Sequence, residues 1–209
     1  MNITKNNVSD VVKSGIVRAV KEHLELTNDY SELSWAPEYY LTTLIAQELG
    51  RLDNACVFLE EKMGESHGSV KGRRPKHYKP KGRFDMVVRN NSGYAVVAIE
   101  VKHRVYSVSK DVLRDTKRLV RAVRSDLGEG QDFKFGIFAF YTVVFAKERK
   151  TMEPKDAISR LYKRLQEKVS EDEASPKNIK LVGDFITPTK YRNQDWGCWG
   201  GGTLIFSAK

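Results

Sequence analysis

The chain has few of the residues that build metal clusters, disulfides or membrane spans. Of its 209 residues only two are cysteine, Cys56 and Cys198, and neither has the spacing of a metal motif. They read as reduced packing residues of a cytoplasmic protein rather than as a disulfide framework. Histidines 23, 67, 77 and 103 are equally isolated, which argues against a zinc site. The longest apolar run, FGIFAFYTVVFA at 135–146, is too short to cross a bilayer and predicts a buried strand. The opening MNITKNN leads into an amphipathic pattern and not into a charged-then-apolar signal segment. There is no internal repeat, low-complexity tract, Gly-rich phosphate loop or nucleophile elbow, so common nucleotide-binding and acyl-transfer chemistries have no motif here.

Acidic residues are also in short supply: 27 Asp and Glu against 36 Lys and Arg give a net charge of +9. The excess is localised. Residues 71–90 carry a net +7 and residues 102–124 a net +6, leaving the remainder slightly acidic. Concentrated positive charge attracts polyanions, of which nucleic acid is the commonest. A membrane surface fits less well, because neither segment is a basic amphipathic helix with exposed aromatics.

The element order follows from periodicity. Val12, Ile16, Val17, Val20 and Leu24 predict a helix over 9–26, and Leu41, Leu44, Ile45, Leu49 and Leu52 predict another over 37–52. ACVFLEE at 55–61 reads as a strand, and the Gly/Pro/Lys-rich stretch 64–82 as a loop. A hairpin over 83–102 comes next, then a helix capped by Ser109 and running to about Leu127. A central strand over 133–145, a helix over 154–169, a short strand at 179–186 and TLIF at 203–206 complete the series. The α-β-β-β-α-β order implies one α/β domain with a mixed sheet flanked by helices. Its core would span about 35–145, with a helical extension before it and a helix with strands at 154–209 after it.

The hairpin RFDMVVRNNSGYAVVAIEVK holds the one constellation that points to chemistry. An even loop, Asn90-Asn91-Ser92-Gly93, would set Arg89 opposite Tyr94 and Asp85 opposite Ala98, one pair from Glu100. Side chains alternate with period two, so Asp85, Val87, Arg89, Tyr94, Val96, Ala98, Glu100 and Lys102 would share one face. Phe84, Met86, Val88, Ala95, Val97, Ile99 and Val101 would form the other, wholly apolar face. Two carboxylates placed diagonally across a strand pair are close enough to bind one ion. The plainer reading is a cross-strand ion pair on an exposed face, which the apolar neighbours Val87, Val96 and Ala98 argue against.

Asp85, followed fifteen residues later by Glu100-Val101-Lys102 across a hairpin and preceded by a helix with an embedded glutamate, resembles the PD-(D/E)XK nuclease superfamily. Phe84 stands where the family's name places proline. The resemblance implies a restriction-endonuclease-like fold and a metal-dependent nuclease acting most naturally on DNA. It implies Asp85 and Glu100 as ligands of Mg²⁺ or Mn²⁺, with the Val101 carbonyl as a third, which suits a hard cation. Lys102 would orient or deprotonate the attacking water, and a nearby divalent cation would lower its pKa. Family members carry the helix acid early in the helix, which favours Glu38 over Glu48 as catalytic residue and further ligand.

The basic loop KGRRPKHYKPKGR lies just before Asp85, where Lys71, Arg73, Arg74, Lys76, Lys79 and Lys81 would grip phosphates. His77 and Tyr78 are candidate backbone contacts, and His103 projects opposite Lys102 as a structural residue. On the helix after the hairpin, Lys110, Arg114, Lys117, Arg118, Arg121 and Arg124 read as a solvated face turned away from Val112, Leu119 and Val123. Trp196 and Trp199, among the glycines near the C-terminal end, close a core edge in the plainer reading and stack on bases in the sharper one. No sequence-reading module is evident, which implies a homodimer or a protein partner. Two rivals to the nuclease reading remain. One is an inactive nuclease fold that binds nucleic acid or protein; the other is a structural protein whose basic segments dock an acidic partner.

Overall fold

The computed structural model describes residues 3–63, 82–123, 133–145, 152–171, 178–192 and 197–209. Two helices lead. Helix α1 spans Lys5–Leu26, capped by the Thr4 hydroxyl, which accepts from the Asn7 amide; it starts earlier than the apolar spacing implied. A single 3-10 turn at Leu33–Trp35 leads to α2, Glu38–Leu49, with Pro37 at its N-cap. Strands β1 (Ala55–Lys62), β2 (Arg83–Asn90) and β3 (Ala95–Lys102) follow, then α3 (Lys110–Ala122), capped by Ser109. Strand β4 (Phe135–Val144), helix α4 (Pro154–Glu171) and strands β5 (Ile179–Lys190) and β6 (Cys198–Ala208) complete the described chain. No helix among the described residues is long and apolar enough to cross a membrane.

The six strands form one mixed sheet in the order β1-β2-β3-β4-β6-β5. β3 and β4 run parallel, joined through α3; the other pairs are antiparallel. The last strand in the chain therefore lies inside the sheet and not at an edge. It inserts between β4 and β5, and it is longer than expected because Cys198 to Gly202 pair with β4 and all of them but Gly200 also pair with β5.

Each face of the sheet is covered by two helices. Val12, Ile16 and Ala19 of α1 and Leu41, Ile45 and Leu49 of α2 pack with Met86, Val97, Ile99 and Ile137. Val112, Leu119 and Val120 of α3 and Ile158, Leu161 and Leu165 of α4 pack with Val87, Ala98, Phe138 and Leu204. Gly15 lets α1 and α2 approach closely, since a Cβ there would sit 2.7 Å from the Ile45 Cα. Trp199 joins the first cluster and stacks on Tyr141 at 6.4 Å, so it is a core residue; Trp196 lies outside the described residues.

The hairpin turn is odd in length, contrary to the expected four-residue loop. The Asn90 amide donates to the Tyr94 carbonyl at 3.0 Å, leaving Asn91, Ser92 and Gly93 as the loop. The Asn90 side chain accepts from the Ser92 and Tyr94 amides, and Gly93 adopts φ +79°, which glycine tolerates without steric cost. An odd loop would put Asp85 on the wrong face. A β-bulge restores the parity: Arg89 pairs with Ala95 but Val88 pairs with Val97, so Val96 is the extra residue. Beyond it the register runs Val88–Val97, Val87–Ala98, Met86–Ile99. One more step places Asp85 across from Glu100 itself, not from Ala98.

The bulge also exchanges two faces. Val96 joins Val97 in the α1/α2 cluster, and Ala95 joins Ala98 in the α3/α4 cluster, the reverse of strict alternation. Phe84 is a second exception. It packs against Phe133 at 5.5 Å in the α3/α4 cluster and not beside Met86, because alternation breaks at Asp85, where β2 leaves the ladder.

Candidate functional site

Where β2 stops pairing with β3, the Asp85 side chain takes over from the backbone. Its Oδ2 accepts from the Val101 amide at 2.6 Å, which holds the half-buried carboxylate beside the end of β3. Burial raises the Asp85 pKa, against the pull of that amide and of Lys102; Glu38 and Glu60 push it further up.

Glu100 is 1% exposed and faces α3. Its Oε2 accepts from Arg118 at 2.8 Å, while its buried Oε1 has no hydrogen-bond partner among the described residues. Burial, then the neighbouring Asp85 and Asp115, push its carboxyl up to about 9, although Arg118 pulls the other way. A carboxyl pushed up in this way beside a second carboxylate favours a nearby positive charge, which Arg118 supplies to one of its oxygens.

Lys102 sits among acids. Its ammonium is 3.2 Å from Asp115 and 3.8 Å from Glu38. Burial alone would lower its pKa, but Glu38, Asp115 and Asp85 together raise it. In the metal-free protein three carboxylates outweigh the cost of desolvation.

Glu38 lies in the first turn of α2, and its Oε2 accepts from the His103 amide at 3.0 Å. Glu48 is elsewhere: near the far end of the same helix it binds Arg18 at 2.8 Å and Arg51 at 2.6 Å. Of the two helix acids, Glu38 is the one that reaches Lys102. His103 is structural, as expected. Its ring stacks on Tyr141 at 5.6 Å and its Nε2 meets the Leu33 carbonyl at 2.9 Å, tying the turn before α2 to the end of β3.

Two members of the constellation escaped the sequence reading. Asp115, in α3, is fully buried and accepts from Arg118 at 2.7 Å. Arg118, read as part of a solvated face, instead bridges Asp115 and Glu100. The signal for Asp115 was present. It lies three residues after Val112 and four before Leu119, on the apolar stripe of the helix, and a buried acid there demands a partner.

The structure thus brings Asp85, Glu100, Lys102 and Glu38 together at one end of β3, with Asp115 and Arg118 beneath them. Lys71, Arg73, Arg74, Lys76, Lys79 and Lys81 lie outside the described residues, as do His77, Tyr78 and Arg124. Among the described residues no three Asp, Glu, His or Cys side chains are grouped closely enough to cage a metal ion. What the chain offers to a hard cation is narrower: the orphaned Glu100 Oε1, the Asp85 carboxylate beside it and, at the margin, Glu38. Oxygen donors of this kind suit an ion that keeps several waters, as Mg²⁺ does. No family model, curated protein or solved structure matches the chain.

Proposed function

We propose that the chain is a divalent-metal-dependent nuclease of the restriction-endonuclease-like, PD-(D/E)XK type, hydrolysing phosphodiester bonds in DNA. The observation that carries this reading is the pairing of Asp85 with the buried, half-satisfied Glu100 across the hairpin, with Lys102 and Glu38 at its rim. The Asp85 and Glu100 carboxylates and the Val101 carbonyl would hold Mg²⁺ or Mn²⁺, and the ion would supply charge neutralisation at the phosphate oxygens and a more acidic water.

The chain's own groups have separate tasks. Lys102, held among Glu38 and Asp115, would serve as a hydrogen-bond donor that fixes the attacking water and offsets charge on the phosphate. Asp115 holds Lys102 from below, and Glu38 holds it from the side. Glu38, the most exposed of the acids, is the group able to accept a proton from a water held by Lys102. The basic segment 71–90 would bind the substrate backbone.

The test is cleavage of plasmid and single-stranded DNA with Mg²⁺, with Mn²⁺ and with EDTA. Wild type should cut only with metal. Asp85→Ala and Lys102→Ala should bind DNA without cutting it. Activity that survives either substitution would refute the assignment.

Arg118 favours a second reading, a module that binds nucleic acid or a protein partner without cutting. It already neutralises one oxygen of Glu100, as a resident cation would. DNA binding with no cleavage under any metal would select it.

A further inference from the structure

Four residues beyond Lys102 the chain enters a cleft of about 120 Å³ between the segment after β3 and helix α4. Tyr106 and Ser107 form one wall, Arg160 and Arg164 the other, with Met152 and Leu161 among the apolar residues between them. No acidic side chain is among its lining residues. Arg160 and Arg164 are four residues apart on α4, both exposed, and neither makes an ion pair or hydrogen bond among the described residues. Like charges at that spacing oppose helix formation by a few tenths of a kcal/mol, and no acidic side chain among the described residues pairs with either. Two other basic side chains of α4 do have acidic partners: Lys163 pairs with Glu167 and Lys168 with Glu171.

We infer that this cleft binds a backbone phosphate of the nucleic-acid strand, away from the scissile bond. Its size admits the ligand, since an opening of about 120 Å³ has room for a phosphate group. Its chemistry agrees, because two guanidinium forks and two hydroxyls are the donors that recognise phosphate oxygens. Its place agrees as well. Four extended residues reach at most about 14 Å, so a strand with one phosphate at Lys102 passes the cleft within a few nucleotides.

The inference rests on the nuclease reading for its choice of strand, and the two fail separately. The binding test needs no cleavage. Fluorescence anisotropy of a fluorescein-labelled 20-mer, single-stranded and duplex, is read in EDTA across a salt series. Arg160→Ala with Arg164→Ala should weaken binding roughly tenfold, as expected for one charge-assisted contact, and reduce the slope of log affinity against log salt by about one. A charge-matched control, Lys163→Ala with Lys168→Ala, should change both far less. Circular dichroism and the melting temperature confirm that both variants are folded.

Wild-type affinity in the arginine variant, or a loss no larger than the control's, overturns the inference. So does protection of the cleft by inorganic phosphate with no effect on the oligonucleotide, which would mark an anion site unrelated to the strand. A wild-type protein that never cuts but shows the predicted arginine effect refutes the nuclease reading alone. One that cuts with metal while the arginine variant binds normally refutes the cleft alone.

Discussion

Arg118 Nη2 lies 2.8 Å from Glu100 Oε2, so a helix residue holds the strand carboxylate from beneath while the other oxygen meets no partner among the described residues. The same nitrogen is 2.7 Å from Asp115 Oδ1, which makes one guanidinium the counter-charge of two buried acids. A site with that wiring responds to the loss of Arg118 in two opposite ways.

Arg118→Ala leaves Asp115 and Glu100 without their shared cation. Removing one partner of a buried pair is strongly destabilising; because Arg118 is a quarter exposed, we expect a loss of about 2–3 kcal/mol, read by urea unfolding in EDTA. In the folded fraction the site becomes more negative, so Mn²⁺ should bind more tightly, by calorimetry or by the loss of the free-ion EPR signal. Weaker Mn²⁺ binding would mean that Arg118 orders the carboxylates rather than competing for them.

Stability should also vary with pH through Glu100. Its carboxyl titrates near the ordinary value of 4.5 in the unfolded chain and near about 9 in the fold. The folded state therefore binds the extra proton across that window, and Glu100's contribution is fully present below pH 4.5 and falls as pH rises toward 9. In Glu100→Gln, which mimics the protonated form, this part of the slope should vanish. Denaturant midpoints between pH 5 and 9 for the two proteins, in EDTA, measure it; identical slopes would refute the assignment.

Glu38 and Glu48 separate function from scaffold on one helix. Glu38→Gln weakens the hold on Lys102 and should reduce cleavage by one to two orders of magnitude, in line with a proton-transfer role, with little change in melting temperature. Glu48→Gln removes partners of Arg18 and Arg51 and should lower stability by about 1 kcal/mol while leaving cleavage intact. The reverse pattern would return the helix acid to Glu48.

Much of this architecture was legible because periodicity reports burial. The apolar spacing of Leu41, Ile45 and Leu49 places α2, and the unbroken run from Phe135 to Val144 places a strand buried on both faces. Asp85, Glu100 and Lys102 stand out in the sequence because charges at the ends of apolar strands conflict with their surroundings. The register was less legible. The turn could be counted as four residues or three, and only the tertiary packing of Val96 beside Val97 reveals the bulge that compensates. The two one-residue differences add to a shift of two, which keeps Asp85 on the intended face but moves it one pair closer to Glu100. Arg118 was misread because a helical wheel cannot tell an arginine facing water from one folded back over a strand.

Gly93 tests that account of the turn. At φ +79° it closes the three-residue loop, and a β-branched side chain cannot adopt that angle without strain. A Cβ there meets nothing within 4 Å, so the cost of a substitution is conformational and not steric crowding by neighbours. Gly93→Val should therefore destabilise the protein by about 1–2 kcal/mol, and Gly93→Asn by less, since asparagine tolerates the left-handed region. Neither should change the Mn²⁺ affinity of the folded protein, because the bulge at Val96 lies between the turn and the carboxylates and sets their register independently. If Gly93→Val preserves stability but abolishes Mn²⁺ binding, the turn and not the bulge fixes the alignment of Asp85 with Glu100.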